Sequence, residues 1–147
     1  MLAYQGQNDR DLQKRYGALV QSIVNQRYGA PPELPAPAPG EPIRVGVVSS
    51  FFYLHSNWKI PIKGWLSQMD RKRFKLYGYH VGARHDAETD AAAGLCDRFV
   101  HKTQDVAAWR REILADRPHV LIYPGLWMDT VTFQLAAQRL ARVQCNS

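Results

Sequence analysis

The chain has 147 residues, of which 46% are hydrophobic and 22% charged, and its formal net charge is +6. That length suits one domain, which can bury roughly 68–70% of the surface its unfolded form exposes. The composition is ordinary for a soluble protein, and no apolar run approaches the ~18 residues of a membrane span.

Residues 1–10 contain neither a basic segment nor an apolar one, so no secretory signal is expected. Asp9 to Tyr28 reads as a helix. Tyr16, Leu19, Val20 and Ile23 recur at i, i+3, i+4 and i+7, with Leu12 one turn earlier. Asn8 or Asp9 caps it, and Gly29 followed by Pro31 ends it. One amphipathic helix needs a surface to lie on, either the following domain or further helices. Residues 30–42 carry repeated prolines and read as a semi-rigid linker. They lack the basic flank of a proline-rich recognition site. The expected organisation is a helix over 1–29, a linker over 30–42 and a compact domain over 43–147.

The compact domain opens with Arg44-Val-Gly-Val-Val-Ser-Ser-Phe-Phe-Tyr-Leu-His-Ser-Asn-Trp-Lys-Ile-Pro61. Val45, Val47 and Val48 make a buried strand, and Gly46 allows a close approach by another element or a ligand. A loop follows from Ser49 to about Asn57. Ile62, Trp65, Leu66 and Met69 then fall at helical spacing, with Pro61 in the first turn, where a missing N–H costs little. The dense basic run Arg71, Lys72, Arg73 and Lys75 lies between this helix and the next strand. It reads as a solvated turn. The other cations are spread along the chain, so a nucleic-acid partner is not favoured.

Phe74 to His80 alternates and is a second strand. A polar loop from Val81 to about Asp90 follows, then a short helix over 89–95 and a third strand over 97–101. Asp105 caps a helix carrying Val106, Trp109, Ile113 and Leu114, which Arg117-Pro118 ends. His119 to Tyr123 is a continuous apolar run, as expected of a central parallel strand. Pro124 to Met128 is a loop, and Asp129 caps a last helix with Phe133, Ala136, Ala137 and Leu140 on one face. Residues 143–147 begin another strand. This alternation, with right-handed crossovers, gives an α/β fold: a Rossmann-like parallel sheet of about five strands with helices on both faces.

Ligands of such sheets lie at the carboxyl ends of the strands. Those ends offer Ser49, Ser50, His55, Asn57 and Lys59 after the first strand, and the Pro124–Met128 loop after the fourth. On spacing alone a lone loop histidine such as His55 is structural more often than catalytic; where functional, one beside a helix start acts as a general base or donates a hydrogen bond to a phosphate. The N–H groups that open the helix, with Lys59 as a point charge, add anion affinity. No dinucleotide fingerprint or phosphate loop of the Walker type is present, since Ser-Ser-Phe-Phe-Tyr follows the first strand. No carboxylate stands beside the first strand, which argues against a phosphoacceptor domain. His80, His85, His101 and His119 fall on different elements without metal spacing and read as structural. Cys96 and Cys145 read as buried, reduced thiols of a cytoplasmic protein.

The 44–61 segment resembles the opening of the catalytic region of the O-GlcNAc transferase and SPINDLY family. Asp70-Arg-Lys-Arg-Phe-Lys-Leu-Tyr-Gly-Tyr-His80, Arg117-Pro-His-Val-Leu-Ile-Tyr-Pro-Gly-Leu-Trp-Met-Asp129 and Leu135-Ala-Ala-Gln-Arg-Leu-Ala-Arg-Val-Gln-Cys145 resemble later parts of its first lobe, especially in bacterial members. The resemblance implies a metal-independent, inverting glycosyltransferase of two Rossmann-like lobes (a GT-B architecture). Such an enzyme moves a GlcNAc-like sugar from a nucleotide-sugar to protein Ser or Thr, and tetratricopeptide repeats often precede it. This chain would be its first lobe, inactive without the second, nucleotide-binding lobe. The resemblance implies His55 as the catalytic position. It implies Ser49, Ser50, Ser56, Asn57, Lys59, Pro124, Gly125, Leu126 and Trp127 as the cleft. Phe51 and Ser56 depart from the acid and the proline that many members carry there. With one lobe alone, Phe52, Leu126 and Trp127 are expected on an exposed face through which the chain forms a homodimer. The alternative readings are a stand-alone Rossmann-like interaction module and a nucleic-acid binder.

Overall fold

The computed structural model describes residues 6, 8–34 and 36–147. Residues 1–5 and 7, which carry most of the reading of the N-terminus, and Pro35 of the linker lie outside the described residues. Helix α1 (Arg10–Tyr28) is followed by β1 (Ile43–Ser49), a π-helical turn (Trp58–Ile62), α2 (Lys63–Gln68) and β2 (Phe74–His80). Then come α3 (Ala87–Leu95), β3 (Arg98–His101), α4 (Val106–Asp116), β4 (Val120–Tyr123), α5 (Thr130–Ala136) and β5 (Val143–Asn146). The five strands form one sheet in the order β3-β2-β1-β4-β5, and every pairing is parallel. The α/β, Rossmann-like expectation therefore holds.

The pleat of β1 explains why both faces are covered. Val45 and Val47 point to one side, where they pack with Phe52, Trp58, Ile62, Leu66, Leu76 and Ala92. Val48 points to the other, onto a core built from Tyr79, Trp109, Ile113, Leu121 and Leu135 among others. Gly46 shares the Val48 face. A Cβ there would lie 2.7 Å from Leu121 Cδ2 and 2.8 Å from Tyr79 Cε2, so the close approach is made by neighbouring strands. The tyrosine is held in place, since its hydroxyl donates to Asp116 at 2.8 Å.

The helix starts follow their caps. Asp105 accepts the N–H of Ala108, and Asp129 accepts that of Thr132. Asp86 accepts from Glu88 and Thr89 while the Thr89 hydroxyl accepts from Asp86 N–H, so α3 begins two residues earlier than expected. Pro61 sits inside the π-helical turn, where the N–H of Lys63 reaches back to Trp58 O. The wider turn accommodates a proline that an α-helical register would set against the carbonyl four residues back. Helix α5 stops at Ala136, short of Leu140, because Gln144 intervenes. Its amide donates to Ala136 O and accepts from Leu140 N–H.

The apolar stripe of α1 meets the lobe in part: Tyr16 stacks on Phe133 with ring centroids 5.9 Å apart, while Leu12, Leu19 and Ile23 are more than half exposed and Val24 is buried. The helix end is tied down by Arg110, which donates to Gly29 O and Ala30 O. Two expectations change. Phe52 is not on an open face; it is fully buried, edge-on to Phe99 with ring centroids 5.2 Å apart. Cys145 is exposed, on the edge strand β5, while Cys96 is part-buried. The basic turn is solvated as expected, with Arg71 paired to Asp97.

Candidate functional site

The chain leaves β1 towards β2 and β3 on one side, then crosses back to β4 and β5 on the other. The loops after β1 and β4 therefore diverge from neighbouring strand ends, and the crevice between them is the topological switch point of the sheet. Asn57 bridges it, donating from Nδ2 to Pro124 O at 3.4 Å and to Met128 Sδ at 3.5 Å. Gly125 completes the join. A Cβ there would meet the Phe51 ring at 3.1 Å and Asn57 Nδ2 at 3.2 Å.

His55 lies on the β1 side. Its ring stacks on Phe51, with centroids 4.3 Å apart and planes 24° from parallel, and Tyr53 approaches at 5.6 Å. Nδ1 accepts the N–H of Asn57 at 3.1 Å, and the His55 carbonyl accepts that of Lys59 at 3.0 Å. His55 thus caps the helical run that starts at Ser56. With Nδ1 an acceptor, the neutral ring carries its proton on Nε2. The nitrogen left for a ligand is a hydrogen-bond donor, which favours the phosphate-donor role over the general base. The anion site expected from the helix-opening N–H groups is correspondingly smaller, since two of them already have partners.

The loop is anchored from below. Trp58 is fully buried and its indole N–H donates to Glu88 on α3 at 2.5 Å. That bond, and then Lys63 at 2.9 Å, hold the Glu88 carboxyl below its ordinary value. The N–H of Leu54 donates to Asp86 at 3.0 Å and is the main cause lowering that carboxyl. Ser49 is buried, and its hydroxyl accepts the N–H of Phe51, so it supports the loop and does not face the crevice.

The structure brings His55, Asn57, Pro124 and Gly125 together, with Ser50 alongside. Ser56 and Lys59 are exposed on the outer turn of the helix. Leu126 and Trp127 turn away towards α1 and α5. Leu126 is half-buried in the core of that face, and Trp127 lies 4.8 Å from Phe133 and 6.4 Å from Tyr16. Of the three residues expected on an open apolar face, only Trp127 is exposed. It borders a shallow cavity of about 400 Å³ shared with Tyr16, Met128 and Asp129.

Two features were missed in the sequence. Asp129 is more than a helix cap, since its Oδ2 accepts from Ser50 Oγ at 3.0 Å and from Thr132 Oγ1 at 2.6 Å. A carboxylate therefore does stand at the end of the first strand, contrary to expectation, supplied from 79 residues away. Its position after an apolar strand and a loop was the available signal. His80, His85 and His101 form one stack, with centroids 4.2 Å and 5.5 Å apart. They meet because β2 and β3 are neighbours and His80 pairs with His101 in register. Burial lowers the pKa of His80. Among the described residues no group of three or more His, Cys, Asp or Glu is arranged to hold a metal ion. None of their helices is long and apolar enough to cross a membrane.

A parallel sheet with its crevice at a switch point defines a Rossmann-like lobe. No protein-family model matches the chain, and no curated protein matches its sequence. Among solved structures it is similar to an O-GlcNAc transferase mutant from Thermobaculum terrenum, at TM-score 0.69 and 25% identity. The match covers 99% of this chain and 28% of that one. The chain thus has the fold of one lobe of a glycosyltransferase of the O-GlcNAc transferase type, and spans just over a quarter of that neighbour's length.

Proposed function

We propose that this chain is the first lobe of an inverting glycosyltransferase that moves a GlcNAc-like sugar from a UDP-sugar-like donor to Ser or Thr of a protein. The likeness over 99% of the chain to an O-GlcNAc transferase mutant carries the reading. The crevice between the β1 and β4 loops supports it independently. In this reading His55 donates from Nε2 to the diphosphate or to the reacting oxygen between the lobes. Its ring is oriented by Phe51 and by the N–H of Asn57. Asn57 and Gly125 hold the two loops together, and Asp129 sets Ser50 at the rim. The second lobe binds the nucleotide and closes the crevice. One wall can neither exclude water nor enclose a diphosphate, so the lobe alone is inactive.

The test is sugar transfer from UDP-GlcNAc to a Ser/Thr peptide library, by residues 1–147 alone and by the gene's whole reading frame. No turnover is expected from 1–147. Turnover is expected from the whole frame, falling by at least about 100-fold in His55→Ala, the scale of a lost hydrogen-bond donor to developing charge. Transfer by 1–147 alone, or full activity in His55→Ala, overturns the reading. A reading frame that ends at Ser147 favours the interaction module.

A further inference from the structure

The His85–His101 pair sits outside the crevice, where the 81–86 loop meets the end of β3. The hydrogen bonds on the far side of each ring decide its proton. His101 Nε2 faces the Gly82 carbonyl at 3.0 Å, and a carbonyl only accepts, so Nε2 is the donor. His85 Nε2 faces the Asp90 carboxylate at 3.1 Å and is a donor for the same reason. In the neutral rings both Nδ1 atoms then carry lone pairs, and these two atoms lie 3.4 Å apart. Two lone pairs at that separation repel unless a proton, which makes the contact an Nδ1–H···Nδ1 hydrogen bond, or a metal ion sits between them.

We infer that His85 and His101 form a two-histidine binding site for a borderline divalent metal ion of the zinc class, with water completing the shell. Two nitrogens each about 2.0–2.1 Å from a tetrahedral zinc lie about 3.3–3.4 Å from one another, which is the separation observed. Imidazole suits ions of this class. Each ring also has the outer partner that metal-bound histidines use to set tautomer and orientation, a carboxylate for His85 and a backbone carbonyl for His101. His85 is exposed, so the ion has a way in. His80 stacks on His101 but is not a ligand; its Nε2 faces Arg84 O at 2.8 Å, and its Nδ1 accepts the N–H of Gly82.

The ion would tie the 81–86 loop to β3. That loop in turn holds the crevice loop, through Asp86 on Leu54 N–H and through Arg84 over the Tyr53 ring at 4.5 Å. The site braces the β1 loop and takes no part in transfer, so it does not depend on the proposed reaction.

Zinc chloride titrated calorimetrically into the Cys145→Ser chain, which removes the exposed thiol as a competing ligand, tests this. One equivalent should bind, and binding should weaken at least ten-fold in both H85Q and H101Q while H119Q binds as the parent does. No binding by the parent, or binding unchanged in either H85Q or H101Q, overturns the site. Should H101Q fail to fold, cobalt(II) added to the parent should broaden the ring-proton resonances of His85 and His101 before those of His55 and His119. Any other order overturns the assignment.

Discussion

Replacing Gly46 by alanine tests the packing that places the crevice. The new methyl would lie 2.7 Å from Leu121 Cδ2 and 2.8 Å from the Tyr79 ring, inside the contact distance of both. Both neighbours are fully buried on strands that flank β1. Leu121 can yield by rotating its branch. Tyr79 cannot move far without losing its hydroxyl bond to Asp116. Overpacking of this kind costs about 1–3 kcal/mol. Removing a strand glycine returns about 0.5–1 kcal/mol of chain entropy. The net expectation is a loss of about 1 kcal/mol. At an m-value of about 2 kcal/mol/M in urea, the midpoint falls by about 0.6 M. Leu121→Ala in the same background should relieve part of the clash, giving a favourable coupling of at least about 1 kcal/mol in the double-mutant cycle. An unchanged midpoint in Gly46→Ala, or strict additivity in the cycle, would refute the reasoning.

Acid should weaken the fold in two stages. His80 is buried and its folded pKa lies below the ordinary 6.5, so the unfolded chain binds the proton more readily. Its contribution is present above about pH 6.5 and is lost as pH falls towards the depressed value. Asp86 and Glu88 are depressed below 3.8 and 4.5, so they keep their contribution until pH drops below those values. Urea midpoints measured against pH should slope down below about 6.5 and steepen below about 4.5. His80→Gln should flatten the first stage in part, leaving the share of His119, whose pKa burial also lowers, and a flat parent profile across it would count against the burial argument. The two thiols should also separate. Burial pushes the Cys96 thiol up to about 12, whereas Cys145 is exposed. A disulfide reagent at pH 8 should consume one thiol quickly and the second only on unfolding, and two fast thiols would contradict the packing around Cys96.

The alternation of periods along the chain was enough to determine the layered α/β fold. Val45 to Val48, His119 to Tyr123 and the caps Asp105 and Asp129 are local signals, and hydrophobic burial acts on them directly. His55 and the Pro124–Gly125 loop were legible for a related reason. Both follow strands, and the carboxyl ends of the strands are where a parallel sheet places its ligands; that these two ends are neighbours came from the strand order.

Contacts between segments distant in sequence were decided only by the tertiary structure. Ser50 and Asp129 are 79 residues apart, and nothing in either neighbourhood specifies that the β1 and β4 ends become adjacent. His80, His85 and His101 lack metal spacing in sequence, yet the β2–β3 register stacks them. The α1 helix shows the limit from the other side. Its apolar stripe called for a covering surface, yet Tyr16 stacks on Phe133 while Leu12, Leu19 and Ile23 stay exposed, because periodicity tells which residues share a face and not how much of that face a neighbour covers. His55 joins the two levels. Its place in the crevice was readable from the chain order, but the proton on Nε2 follows from Asn57 N–H occupying Nδ1, which only the folded loop reveals.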